Sequence, residues 1–275
     1  MLAVVGGSGL YRIDGVRVVD SIDLITPFGK PSSSIKVCQI DDRKFLFLPR
    51  HGENHELPPS KINFRANVFA LKSLGATAVL SVSAVGSLQE EFEPGKLCFV
   101  SDFIDFTKFR ERTFFDTCVV HWSPVPLVCP TLKDLGMRIV KQVGLLDRFV
   151  KTEHCVYICI EGPRFSTKAE SQMFRSLGCH VIGMTACPEC LLFKEAGIGY
   201  LNLAVITDYD CWKDHAVTVE EVMSRFAASM ELVQKFVTSF CVFFYDQEYS
   251  CPIRIDLDKC HIGGERPEWF ETLKK

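Results

Sequence analysis

Residues 155–170 read CVYICIEGPRFSTKAE. The first six are apolar and rich in β-branched side chains, as a strand buried on both faces requires, and the chain then turns abruptly to a glutamate, a glycine, a proline, an arginine and two hydroxyls. A strand of that kind belongs to a sheet covered by helices on either side. In open α/β sheets the crevice at the carboxyl ends of the strands is where backbone amides and side chains converge on a ligand. The stretch is therefore either a site loop or a plain strand-to-helix connection, in which Ser166 or Thr167 caps the helix and Glu170 completes a capping box.

The same pattern recurs along the chain. Apolar runs of strand length lie at 2–5, 44–49, 78–86, 97–105, 155–160, 180–185 and 200–207. Helical periodicity occupies 61–75, 166–178 and 188–197, each closing on a glycine, and a last helix is expected over 218–240, with Thr218 and Glu221 in capping-box spacing. Strand–helix alternation with two-sided apolar strands predicts a layered α/β fold with a largely parallel sheet. No repeat, low-complexity segment or Gly/Ser linker divides the chain, and the proline-rich 122–130 reads as a loop. The expectation is one domain over 1–275, with a polar, irregular tail from about 246.

The bulk properties exclude several classes. The 275 residues are 47% hydrophobic and 24% charged, with a net charge of -3, so no broad cationic field exists for nucleic acid or an anionic membrane. Any phosphate has to be held locally. Thirteen cysteines at irregular spacing, several inside apolar runs, read as reduced core thiols and a cytoplasmic protein rather than a disulfide framework. The amino terminus has no signal-peptide pattern, and no apolar run reaches the roughly 18 residues of a membrane span. Cys187 and Cys190 form CPEC, but no second ligand pair accompanies them, so no metal is expected.

The polar residues collect where apolar strands end: GGSG (6–9), RHGENH (50–55), SAVGS (83–87), EGPRFST (161–167), MTACPE (184–189) and TDYD (207–210). The opening GGSG is not a dinucleotide fingerprint, because Arg12 stands where the third glycine should be; it remains a tight turn or a nest for an anion, with Ser8 as a donor. Arg50 offers a planar fork suited to phosphate oxygens and His51 a further donor. Ser83, Ala84 and Thr185 would add hydroxyl and amide donors. Asp208 and Asp210, two apart, share one side if the strand continues to 210, and then suit a ligand with two adjacent donors; the alternative is an Asx turn.

The strings SKINFRANVFALKSLGATAVLSVSAVGSL, IEGPRFSTKAESQMFRSLG, MTACPE and ITDYDCWKDH together resemble the methylthioadenosine phosphorylases of the purine nucleoside phosphorylase superfamily. The resemblance runs from Gly6 to about Arg225. It implies a three-layer α/β/α sandwich with a mixed, partly barrel-like sheet, usually a trimer. The reaction it implies converts 5′-methylthioadenosine and phosphate to adenine and 5-methylthioribose 1-phosphate, with no cofactor and phosphate as co-substrate. By matching motif, phosphate would be held by Ser8, Arg50, His51, Ser83, the Ala84 amide and Thr185. The Met184 amide would meet the ribose and Phe165 the base, while Asp208 and Asp210 would hold N7 and the 6-amino group as the catalytic acids. Val219, Val222 and Met223 would line the 5′-group pocket, with His55 nearby and His121 reaching in from a neighbouring subunit.

Substrate choice rests on three positions. Relatives that split inosine and guanosine carry glutamate at Ser166 and asparagine at Asp208. The serine and aspartate here favour a 6-amino purine, because a 6-oxo group would face carboxylate oxygens with no donor. Gly183 departs from the asparagine usual in the methylthioadenosine enzymes and matches the 6-oxo group. A 6-oxopurine or broad-specificity nucleoside phosphorylase is the alternative.

Overall fold

The structure, a computed structural model, describes residues 1–7, 15–213 and 216–275. The strands are β1 (Leu2–Gly6), β2 (Arg17–Ile22), β3 (Ile35–Ile40), β4 (Arg43–Pro49), β5 (Ala78–Ser87), β6 (Leu97–Phe99), β7 (Asp102–Phe106), β8 (Cys118–Val120), β9 (Val156–Ile160), β10 (Val181–Gly183), β11 (Gly199–Asp208) and β12 (His261–Gly264). The helices are α1 (Phe64–Ser73), α2 (Pro130–Gln142), α3 (Lys168–Ser176), α4 (Ala186–Glu195), α5 (Val219–Phe243), α6 (Leu257–Cys260) and α7 (Phe270–Lys274).

Ten strands form one mixed sheet in the order β2-β3-β4-β1-β5-β10-β9-β7, which forks at β5 because β11 also pairs with it and carries β6 on its far side. The parallel pairs β1–β4, β1–β5 and β5–β11 bring the carboxyl ends of four apolar strands to one edge. β10 runs antiparallel to the second half of β5, so the chain leaving Gly183 heads back beside Val85 and Ser83. Alternation along β1 separates the two cores. Ala3 and Val5 join the layer of α1, α4 and α7, whereas Leu2 and Val4 join that of α2 and α5. The sheet is thus covered on both faces.

Local chemistry sets the helix starts. Thr167 caps α3 with a complete capping box to Glu170, as its spacing predicts. On α5 Thr218 accepts from the Glu221 amide, and on α1 Asn63 accepts from Ala66. α5 continues as a 3-10 turn to Asp246, and this stretch, contrary to expectation, is long and apolar enough to cross a membrane. Its apolar stripe, Phe226, Val233, Phe236, Val237 and Phe240, is buried in the second core layer.

Two further expectations change. The run 97–105 is two strands, β6 and β7, broken at Val100–Ser101, where Ser101 turns to bond Cys155. The tail is ordered structure, not an irregular coil: β12 pairs antiparallel with β8, and Phe270 and Leu273 are buried beside Trp269, which meets Phe28, Phe69, Phe114 and Phe115. Its few apolar residues are spaced at a helical interval that a polar average conceals. Phe270→Ala should therefore lower stability by about 3–5 kcal/mol in urea unfolding; a loss within experimental scatter would show that the tail is not part of the core.

Candidate active site

One cavity of about 430 Å³ opens where the strand ends meet. Its lining includes Gly7, Arg50, His51, His55, Ser83, Ala84, Phe165, Met184, Thr185, Asp208, Asp210, Val219, Val222 and Met223. Almost every position singled out from the sequence is therefore brought together. Ser8 lies outside the described residues. His121, at the end of β8, is exposed and does not line the cavity of its own chain.

Arg50 is 1% exposed and is not a free fork. Its Nε and Nη2 donate to the two carboxylate oxygens of Glu189 at 2.9 and 3.0 Å, Nη2 also to Ser81 Oγ and Nη1 to the Val82 carbonyl. Burial works against the charge, and Glu189 more than restores it, so the guanidinium stays protonated. One Nη1 proton remains for a ligand. Glu189 stands within the MTACPE motif, yet nothing in the sequence says which acid will meet Arg50 under the sheet edge.

His51 also differs from expectation. Its Nδ1 lies 2.8 Å from the Leu57 carbonyl, which can only accept, so the ring proton sits on Nδ1. Burial pushes the imidazole pKa down to about 4, helped by the charge of Arg50 and by His55, whose ring stacks on it at 4.4 Å. The neutral ring consequently offers Nε2 as an acceptor, suited to a ligand hydroxyl rather than to a bare anion oxygen. Ser83 donates to Asn202 Oδ1 at 3.1 Å and must turn its proton to serve an anion. Thr185 stands at the N-cap of α4 with no capping bond, which leaves its hydroxyl available.

The paired acids arise by a turn, not by an extended strand. β11 stops at Asp208, and Asp210 has φ 47°, its amide donating to Asp208 Oδ1 at 2.8 Å as in an Asx turn. Both still line the cavity, and both are 5% exposed. Burial raises the pKa of each; for Asp208 the Thr207 hydroxyl and the Asp210 amide oppose the rise, and for Asp210 the Ser171 and Ser166 hydroxyls do. Those two serine hydroxyls are buried with no partner in good hydrogen-bond geometry. Ser166 thus faces the acid, while Thr167 alone caps the helix.

Thr207 carries a single proton and lies 3.1 Å from the Val85 carbonyl and 2.7 Å from Asp208 Oδ2. The shorter contact is the bond that Thr207 donates to Asp208, and it favours the carboxylate against the effect of burial. Gly86 permits the arrangement, since a Cβ there would stand 2.8 Å from Asp208 Oδ1.

Gly183 has a packing reason of its own. A Cβ on it would lie 2.0 Å from the hydroxyl of Tyr157, a fully buried side chain on the adjacent strand β9. Cys187 and Cys190 lie with sulfurs 3.7 Å apart in the core, and among the described residues no three His, Cys, Asp or Glu side chains converge as a metal site.

The sequence matches the model of the phosphorylase superfamily over residues 2–241. The chain belongs to the phosphorylase superfamily. Among its relatives, proteins named S-methyl-5′-thioadenosine phosphorylase from Thermofilum pendens and Nitrosopumilus maritimus are 42% and 43% identical; the first match covers 95% of this chain and 98% of the relative, the second 86% and 89%. The Thermofilum match reaches beyond the part of the chain that the motifs span. Among solved phosphorylases, methylthioadenosine phosphorylase from Schistosoma mansoni in complex with adenine has a TM-score of 0.87 at 32% identity, covering 92% of this chain and 94% of that one. A methylthioadenosine phosphorylase from an antarctic soil metagenomic library has a TM-score of 0.88 at 35% identity, covering 99% and 96%.

The Gly183 contact makes a prediction. Gly183→Asn should destabilise this phosphorylase by about 1–3 kcal/mol, the range for overpacking, and Tyr157→Val in the same chain should recover most of that loss. Thermal unfolding of the two single variants and the double variant checks it; strictly additive effects would refute the coupling.

Proposed function

We infer that this enzyme catalyses reversible phosphorolysis of 5′-methylthioadenosine, giving adenine and 5-methylthioribose 1-phosphate. The observation that carries the reading is the pair of buried acids, Asp208 and Asp210, opening into the same cavity as Arg50, His51 and Thr185. Departure of adenine from C1′ builds positive charge on the sugar and negative charge on the purine. Asp208, protonated, delivers a proton to N7 as the C1′–N9 bond breaks, and Asp210 accepts from the 6-amino group. Phosphate, held by Arg50, Thr185, Ser83 once its hydroxyl rotates, the Ala84 amide and Ser8, stabilises the cationic sugar and then bonds C1′. His51 accepts a hydroxyl of the sugar or of hydrogen phosphate.

Phe165 lies against the base and the Met184 amide meets the ribose. Val219, Val222 and Met223, together with His55, receive the methylthio group. We assign no cofactor role, since proton delivery and anion placement account for each bond that changes. The chain is proposed to work as one domain in a reducing, cytoplasmic setting, an assignment supported by ten buried cysteine thiols. The exposed His121 supports a homo-oligomer, most simply a trimer, in which it serves a neighbour's cavity. A dilute monomer should then be inactive, and full turnover by a monomer in active-enzyme sedimentation would overturn that assignment.

The decisive assay follows purine release spectrophotometrically from methylthioadenosine, methylthioinosine, adenosine and inosine, with phosphate, arsenate or neither. Methylthioadenosine with phosphate should be preferred; preference for the 6-oxo substrates, or turnover without an anion, would refute the reading. Asp208→Asn should lower kcat by about 10²- to 10⁴-fold. Because burial raises the Asp208 pKa, the active protonated form persists above the ordinary carboxylate range and is lost as pH rises, so wild-type kcat should fall on the alkaline side and the Asn variant should lack that limb.

A further inference from the structure

Arg110 belongs to none of the motifs and does not line the cavity, yet its side chain is 3% exposed and all five of its N–H donors are engaged. Nε donates to Glu161 Oε1 at 3.0 Å. Nη1 donates to the carbonyls of Met184 and Cys187, both at 2.7 Å. Nη2 donates to the carbonyls of Ile160 at 3.4 Å and Glu161 at 2.6 Å. The guanidinium also lies over the Phe64 ring, 5.4 Å from its centre.

These partners fall on two separate loops. Ile160 ends β9 and Glu161 follows it, leading through Gly162 and Pro163 to Phe165; Met184 precedes Thr185, and Cys187 lies in the first turn of α4. The loops also touch, since a Cβ on Gly162 would stand 2.7 Å from Met184 Sδ. Glu161 completes the knot by accepting from the amides of Lys108 and Phe109. No other side chain could replace this: lysine has three donors on one nitrogen and cannot span two loops in a plane.

We propose that Arg110 is a positioning residue which fixes the base-side loop carrying Phe165 and the sugar- and phosphate-side loop carrying Met184 and Thr185 as one rigid unit. The proposal rests on the phosphorolysis reading for the names of those two sides, and on the bonds alone for their coupling. Sub-ångström placement of both loops then depends on one buried cation, and loosening it costs turnover by misalignment rather than by removing any group that touches substrate.

The test uses Arg110→Lys and Arg110→Ala in the full chain. Each should lower kcat/KM for methylthioadenosine and for phosphate together, by about 10- to 100-fold, and millimolar guanidinium ion should restore part of the Ala variant's activity. A change within about threefold for both substrates, a loss confined to one of them, or a loss with a lowered unfolding midpoint and no rescue would overturn the proposal. Should Arg110→Ala fail to fold, Glu161→Gln, which weakens the Nε contact together with the bonds to the Lys108 and Phe109 amides and leaves the four bonds from Nη1 and Nη2 to carbonyls, is measured in the same way. Calorimetric binding of adenine and of inorganic phosphate reads the coupling without turnover. A wild-type chain that binds both but does not react would thus count against the functional reading alone.

Discussion

The bidentate pair of Arg50 with Glu189 is the constraint around which the strand ends are arranged. Two charges this deeply buried are tolerable only together, because either one alone would keep its desolvation cost with no compensation. The pair therefore ties the end of β4 to α4, and through Ser81 and Val82 to β5. Tyr200 and Asn202 of β11 extend the same network to Ser83. Elements distant in the chain are thus held in register by polar groups that must all be satisfied, and the cavity sits directly on that network.

Electrostatics in the cavity follows from this. With Glu189 beside it, Arg50 contributes less than a free cation to any anion, so phosphate affinity has to come largely from hydroxyls and amides. That suits a protein whose net charge of -3 provides no long-range attraction. It also leaves the acids undisturbed. The largest influences on Asp208 are burial, the Thr207 hydroxyl, the Asp210 amide and the carboxylates of Asp210 and Glu221. A free guanidinium within reach would favour the ionised form of Asp208 and oppose the rise that burial causes. Among the described residues Arg50 is the only arginine or lysine lining the cavity, and Glu189 already matches its charge.

Legibility in the sequence followed the physics of each feature. Two-sided strands such as 78–87 and 199–208, and capped helices such as 168–176, were readable because composition and spacing there are dictated locally. β2 was not, since Arg17–Ile22 is largely exposed and carries no apolar alternation. α2 was hidden behind prolines that read as a loop, although Pro130 sits at its first turn, where proline is compatible with a helix. At the site, strand-end residues declared themselves as polar groups after apolar runs. Their partners did not: Glu189, Tyr157 and Arg110 meet them only through the fold, and any acid or hydroxyl in the sequence was as plausible. The proton positions of His51 and Ser83 likewise depend on Leu57 and Asn202, contacts that no spacing encodes.

Gly183 shows why one position is a poor witness to specificity. Read as a base-facing residue, glycine points toward 6-oxo purines, against the evidence of Asp208 and Ser166. The contact with Tyr157 removes the conflict. The hydroxyl fills the volume that a side chain at 183 would occupy, so the glycine answers to the residue behind it and not to the ligand in front. The exchange is between strands: a larger side chain on β9 permits only a glycine on β10. Asp208 and Asp210 line the cavity, and the buried hydroxyl of Ser166 stands beside Asp210. A substitution at 183 tests the packing of β9 on β10 before it tests anything about the base.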